Sequence, residues 1–413
     1  MKLRIINIHL LINVRSINVL LRGTALADLP IIENAFLEIE DGIILNFGEM
    51  QQLQNPLENF DCEIYNANGA SVLPCWCDSH THLVFAASRE SEFVDKIKGL
   101  NYAEIAAKGG GILNSADKLQ NATEEELFEK AWNRLTELIV LGTGAIEIKS
   151  GYGLTVESEL KMLRVIKKLK EASPIPIKAN FLGAHTYPKE FKENHRGYID
   201  LIKNEMLPII QQEKLADYID VFCEEGFFSV EETIEICEAG KAIGLVPKIH
   251  ANQLHVSKGV EAGVKLGALS VDHLESMDEQ AISTLASSNT IGTLLPTAAY
   301  FLRMPFQPAR ALISAGCAIA IASDFNPGSS PSGNMNTVVS MSCIQMKMLP
   351  EEAINAATIN AAYAMGVEDQ VGSITKGKLA NLIFTKPIPS LNYLPYAFGS
   401  NLIDRVMVKG IFQ

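Results

Sequence analysis

Ser71-Val72-Leu73-Pro74-Cys75-Trp76-Cys77-Asp78-Ser79-His80-Thr81-His82 is an apolar run that ends in a row of polar side chains. The run reads as a β-strand whose C-terminal end turns polar. Alternate residues on a strand point the same way, so His80 and His82 face one point beyond the strand end. Seven more short apolar runs follow: Thr143–Lys149, Pro176–Gly183, Tyr218–Cys223, Leu245–Ile249, Ala268–Val271, Thr290–Leu295 and Ala318–Ala322. Helical spacing separates several of them. Glu124–Val140 places Leu127, Ala131, Leu135 and Leu138 on one face, and Glu157–Ala172 and Ser229–Ala242 repeat the pattern. Eight strands alternating with helices predict an α/β fold of the (β/α)8, TIM-like type over residues 69–370. A doubly wound open sheet is the alternative, and no G-x-G-x-x-G supports it.

Barrels of this kind keep their active sites at the C-terminal ends of the strands. The fifth run is followed by His250, the sixth by Asp272-His273, and the eighth by Ser323-Asp324. A lone histidine is more often a satisfied polar residue than a ligand, and H-x-H alone is common. Position changes the balance, because four of the eight histidines and an aspartate fall at strand ends. His80, His82, His250 and Asp324 are therefore expected to hold one divalent ion. Such an ion lowers the pKa of bound water to about 7. Asp324 is expected to shuttle the proton as general base and then acid, and His273 to hydrogen-bond the attacking water or the oxyanion. The fourth strand ends in Phe222-Cys223-Glu224, without the lysine that bridges two-metal sites, so a single ion is favoured, with Glu224 the residue that could still bridge a pair. Lys149 reads as a structural cation.

The chain's two ends differ from its middle. Ala35–Ile39, a turn at Glu40-Asp41-Gly42 and Ile43–Phe47 read as short strands, as do Val371–Ile374, Leu379–Phe384 and Arg405–Val408. Residues 1–68 and 371–413 are expected to form one composite β-sandwich domain. The apolar Ile5–Leu21 stretch is broken by Arg15 and reads as paired strands, not as a signal peptide or membrane span.

Composition narrows the partners. Of the 413 residues, 47% are apolar and 20% charged, enough for a large core. A net charge of −13 argues against nucleic acid, whose phosphates favour a basic face. Seven cysteines without any C-x-x-C pair fit a reduced, cytoplasmic protein. No membrane association is expected, and a homodimer is the common assembly for this architecture.

His80-x-His82 with His250, His273 and Asp324 resembles the amidohydrolase superfamily. Longer strings narrow the resemblance: Arg89–Phe93, Gly109–Ile112, Glu147–Leu154, Phe181–His185 and Ser323–Pro331 are together similar to the imidazolonepropionases, through nearly the whole chain. That resemblance implies hydrolysis of the cyclic amide 4-imidazolone-5-propanoate to N-formimidoyl-L-glutamate, in histidine degradation. It implies zinc or iron (Fe2+ or Fe3+) as the ion, and substrate contacts from Arg89, Tyr152, His185 and Gln253. Asn326, Gly328 and Ser329 match the loop after the eighth strand, and Tyr102 is a further expected contact. Read alone, Arg89 is a surface charge, Tyr152 part of a turn, His185 a strand-end polar residue and Gly328 loop punctuation. There are departures: Asn252 stands where the family usually has an acid, Cys75 where it has glycine, and Asn381 where it has aspartate. The nearest rival is another cyclic-amide hydrolase or a deaminase of the same superfamily. Deaminases need a glutamate at the position of Gln253, and an amide cannot protonate a ring nitrogen. A catalytically dead barrel is the rival from another class, and the complete set of metal and acid–base residues argues against it.

Overall fold

The computed structural model describes residues 2–53, 63–100, 104 and 110–413. The N-terminal strands are β1 (Lys2–Ile12), β2 (Ile31–Glu40), β3 (Ile43–Glu49), β4 (Glu63–Asn66) and β5 (Val72–Pro74). Asp41 and Gly42 join β2 to β3, both in the left-handed region (φ 49° and 80°), the requirement of a two-residue hairpin turn. β1 pairs antiparallel with β2, and its register shifts between Ile5 and Ile8, where Asn7 is left-handed (φ 56°).

The barrel follows as β6 (Trp76–Thr81), β7 (Thr143–Lys149), β8 (Ile177–Ala184), β9 (Tyr218–Cys223), β10 (Val246–Ala251), β11 (Ser270–His273), β12 (Ile291–Leu294) and β13 (Ile319–Ile321). Neighbours pair parallel in chain order. Asp78 draws the two ends of this sheet together, accepting from the Ser323 N–H at 3.0 Å and the Ser323 hydroxyl at 2.5 Å. A parallel bridge between Thr81 and Phe325 and the His82 N–H to Phe325 carbonyl bond of 2.8 Å complete the junction. Helices cover the outside. Glu124–Val140 starts at a capping box of Thr123 and Glu126, and Val230–Ala242 at one of Ser229 and Glu232. Their apolar faces join one large core with the strands.

The chain then returns to the terminal sheet as β14 (Leu382–Thr385), β15 (Ile403–Val408) and β16 (Ile411–Phe412). The order is β16-β15-β14-β5-β1-β2-β3, with β4 on β1. Its own core gathers Ile5, Ile8, Leu37, Val72, Leu382 and Phe384. So strands from both termini come together, as expected, here in a single sheet, and two readings of its members change. The run Ser71–Cys77 divides at Cys75. Val72–Pro74 pairs with β14 and β1, and the barrel strand begins only at Trp76. Cys75, whose N–H donates to the Asn381 carbonyl at 2.9 Å, is the hinge between the two sheets. Val371–Ile374 is not a strand. Gly372 is left-handed (φ 90°), and the segment bends around the Lys378 ammonium, leaving one bridge from Val14 to Ile374. Among the described residues no helix is long and apolar enough to cross a membrane.

Candidate active site

His80 lies near the end of β6 and His82 just beyond it, His250 lies near the end of β10, His273 ends β11, and Asp324 follows β13. All five are buried, with at most 3% exposure. His80, His82 and His250 can each turn one ligand atom to a common point, with these atoms within 4.8 Å of one another, and His80, His273 and Asp324 form a second such group. Asp324 Oδ1 lies 3.6 Å from Nε2 of both His80 and His82. His273 and Asp324 have left-handed backbones (φ 86° and 51°), conformations that side chains with a Cβ rarely adopt. Such strain at strand ends is characteristic of sites whose side chains must be aimed.

The imidazoles are prepared as ligands. His80 Nδ1 lies 2.7 Å from Asp272 Oδ2, and His250 Nδ1 lies 3.1 Å from Asp220 Oδ1. A carboxylate only accepts, so each Nδ1 carries the hydrogen and each Nε2 offers a lone pair. Nε2 of His80 and His250 and Nδ1 of His82 are buried without a hydrogen-bond partner. Burial pushes the pKa values of His80 and His82 well below the ordinary histidine range, and that of His250 down as well, so the rings are neutral. The unpartnered Nε2 atoms of His80 and His250, together with His82 Nε2 beside the Asp324 carboxylate, fit a borderline divalent ion.

Beneath the histidines the barrel interior is charged. Lys149 donates to Glu147 at 2.7 Å and Asp220 at 2.8 Å, and its ammonium is 3.5 Å from Asp272. Lys248 pairs with the other oxygen of Glu147, and Asn180 donates to Glu147 at 2.9 Å and to Asp220 at 3.1 Å. Burial disfavours charge on Asp220, but His250 and Lys149 overcome it and hold the carboxyl well below its usual range. One ammonium thus fixes both carboxylates that orient metal-facing histidines. Lys149 is a structural cation, as expected. The roles of Asp220, Glu147 and Lys248 were missed. The signal for them was a charged residue inside an otherwise apolar strand.

Two more acids flank the cluster. Burial raises the Asp324 carboxyl to about 6, opposed by His273 and hydrogen bonds from the loop that follows. Burial also opposes charge on His273, but Glu275 and Asp324 outweigh it and raise its pKa. Glu275 Oε1, 3.5 Å from His273 Nδ1, is held by Gln307 at 3.0 Å. Glu224 is occupied elsewhere, accepting from the Leu254 N–H at 2.8 Å and facing His255 Nδ1 at 3.1 Å. That removes it as a bridge for a second ion. Asn252 also faces away from the cluster. Its amide donates to the Ser276 carbonyl at 3.0 Å and accepts from Ser257 and Gly259, both at 3.2 Å. An ionised acid could not make the first of these bonds.

Above the cluster lies a cavity of about 200 Å³ whose lining includes Arg89, Glu92, Lys96, Tyr152, His185, Phe222, Asn326, Gly328 and Ser329. His185 stacks on His82, with ring centroids 5.4 Å apart. Its Nδ1 donates to the Gly151 carbonyl at 3.1 Å, so Nε2 is an acceptor. A Cβ on Gly151 would meet that Nδ1 at 2.8 Å, and φ there is +112°, so only glycine fits. Tyr152 is buried, and burial raises its pKa, so its hydroxyl is a donor. Arg89 donates through Nε and Nη2 to Glu92 at 2.9 and 2.6 Å, while Nη1 approaches Gly328, where a Cβ would sit 2.3 Å away. Glu92 also accepts from the Gly111 N–H at 3.0 Å. Asn326 shapes the last loop. Its amide oxygen accepts from the N–H groups of Gly328 and Ser329 at 2.8 and 2.7 Å, and Ser329 Oγ reaches Asp324 Oδ2 at 3.3 Å. The structure thus gathers Arg89, Tyr152, His185, Asn326, Gly328 and Ser329 in one wall. Gln253 is nearly buried after β10 but is not part of this lining. Tyr102 lies outside the described residues.

Known proteins agree with this architecture. The sequence profile of the amidohydrolase family matches residues 71–412. An imidazolonepropionase of Flavobacterium johnsoniae is 59% identical over 405 residues, covering 98% of each chain. One of Thermoanaerobacter pseudethanolicus is 41% identical, covering 93% of this chain and 91% of its own. Among solved structures, the guanine deaminase of E. coli superposes with a TM-score of 0.73 at 14% identity, covering 100% of this chain and 99% of the other, a likeness of fold alone. With the family profile matched over residues 71–412 and with relatives this similar along nearly their whole length, the chain belongs to the amidohydrolase family, among the imidazolonepropionases.

Proposed function

We propose that the chain hydrolyses the ring amide of 4-imidazolone-5-propanoate to N-formimidoyl-L-glutamate, a step of histidine degradation. The single observation that carries the chemistry is the set of unpartnered, neutral imidazole nitrogens converging beside Asp324 below a cavity that holds a cation. His80, His82, His250 and Asp324 would hold one zinc or iron ion, which when bound supplies Lewis acidity and a nucleophilic water near neutral pH. Asp324 accepts the proton of the attacking water. It then delivers that proton to the ring nitrogen as the carbon–nitrogen bond breaks, so one carboxylic group would serve as base and acid in turn. His273, backed by Glu275, donates to the oxygen on which charge develops. His185 Nε2 accepts from a ring N–H, the Tyr152 hydroxyl donates, and Arg89 grips the propanoate. Gln253 and Tyr102 are retained as substrate contacts from the family motif.

Residues 69–370 form the catalytic unit in this reading, with 1–68 and 371–413 as its β domain. A homodimer in the cytoplasm is the expected state. The six described cysteines are all free, which suits a reducing compartment. The test is direct: purified protein is mixed with freshly generated imidazolonepropanoate, and the loss of the ring chromophore is followed while the product is identified by mass. Formation of N-formimidoylglutamate supports the proposal. A ring left intact, or ammonia released with the ring preserved, contradicts it.

A further inference from the structure

The cavity holds a second cation that the family motif does not reach. Lys96 lies near the end of the helix Glu90–Ile97, seven residues beyond Arg89, and lines the same wall. Its ammonium lies near an aromatic pair. Phe93 and Phe301 stack with ring centroids 5.4 Å apart, and Lys96 Nζ sits 5.7 Å from the centre of the Phe301 ring. Nζ also lies 3.4 Å from the Gly328 carbonyl, next to the point where Arg89 Nη1 approaches the same glycine. Both cations therefore converge on Gly328, one from each side of Glu92.

The charge balance gives Lys96 its role. Arg89 is already paired with Glu92 through two hydrogen bonds, and both partners are largely buried. That pair contributes little net charge to a ligand, although Arg89 keeps Nη1 free for directional bonding. Among the described residues of the lining Lys96 is the charge left over, since Glu92 is the one acid among them and His185 is neutral. We propose that Lys96 is a second specificity-determining cation of the cavity, beside Arg89. It selects a substrate with a single carboxylate tail, while Arg89 and Gly328 orient that tail. The inference rests on the proposed substrate class, a five-membered nitrogen ring with an anionic tail. It predicts which lysine reads the anion. Burial and the neighbouring guanidinium lower the pKa of Lys96, a tension that an incoming carboxylate would relieve.

A ring that cannot be hydrolysed separates this inference from the reaction itself. Imidazole-4-propanoate and the tail-less 4-methylimidazole are titrated calorimetrically into the metal-loaded enzyme, its Lys96→Gln variant and its Lys96→Arg variant. Lys96→Gln should weaken imidazole-4-propanoate by about tenfold, the scale of one partly buried charged contact. It should leave 4-methylimidazole unchanged, and Lys96→Arg should restore most of the loss. With the true substrate the same variant should raise KM by a similar factor and hold kcat within about twofold, because the tail is remote from the breaking bond. Unchanged binding of the anion, an equal loss on both ligands, failure of the arginine variant to recover, or no binding of the anion by wild type would each overturn the inference. An intact imidazolone in the turnover assay, with the calorimetric pattern as expected, would instead overturn the proposed reaction and leave the anion-reading lysine in place.

Discussion

The floor and the wall of this site are built from different material. The floor is His80, His82, His250 and Asp324, carried on or just beyond strands β6, β10 and β13 and at most 2% exposed. Each of its oriented histidines rests on a carboxylate, and those carboxylates rest on Lys149. The wall comes from loops and short helix ends: Arg89, Lys96, Tyr152 and the turn Asn326–Ser329. It is held by local bonds, such as Arg89 to Glu92 and the Asn326 amide to Gly328 and Ser329. A rigid strand-borne floor suits chemistry that tolerates little misplacement. A loop-borne wall can change its ligand without disturbing the floor.

Substitutions can break this division. The largest effect is expected at Asp324. Asp324→Asn should lower kcat by on the order of 10²-fold or more, the usual contribution of a positioned acid–base group. His273→Ala should also lower kcat yet leave the ion bound, which metal analysis of the purified variant checks. Loss of the ion would make His273 a ligand, a role its distance to His80 and Asp324 permits.

On the wall, Arg89→Ala should reduce kcat/KM by on the order of 10²-fold, with metal content unchanged. Lysine should recover only part of that, because an ammonium cannot replace a guanidinium that bonds Glu92 along one edge and the ligand along another. On a tail-less analogue the alanine variant should perform no worse than wild type. An equal loss there would show that Arg89 acts on something other than the carboxylate.

A smaller effect is expected one layer down. Asp220→Asn keeps the shape but weakens the hold on His250 and leaves Lys149 with less counter-charge. Metal affinity should fall by about 10- to 100-fold, measured by competition with a chelator of known affinity. Substrate KM at saturating metal should stay near the wild-type value. A changed KM with intact metal affinity would blur the line between floor and wall.

Sequence reading reached these two regions unequally. The floor was legible because strand ends are marked twice, by an apolar run and by the polar residue that closes it. β7 and β9 match the expected Thr143–Lys149 and Tyr218–Cys223 to the residue. Ser71–Cys77 misled because apolar character does not tell which of two sheets a strand joins, and Cys75 is the point where membership changes. The charged layer under the histidines was hidden. Asp220, Glu147 and Lys248 are single charges among apolar neighbours, and only the closed barrel turns them toward one another. On the wall, motif strings found Arg89, Tyr152 and His185. Lys96 belongs to no such string and emerges only from the fold, which places its ammonium against Gly328, more than 200 residues away in the chain. Asn252 illustrates the opposite case. It departs from the family pattern, but its amide is fully used in joining the loop after β10 to Ser276, away from the metal-facing histidines.

In the proposed reaction, turnover of the imidazolone depends on an ion held by His80, His82, His250 and Asp324. The most direct test measures loss of the imidazolonepropanoate chromophore by one preparation in three states: as purified, stripped with a strong chelator, and reloaded with zinc or iron. Close to one equivalent of metal per chain is expected as purified, with no turnover when stripped and recovery on reloading. Full turnover by a sample verified to be metal-free would contradict it.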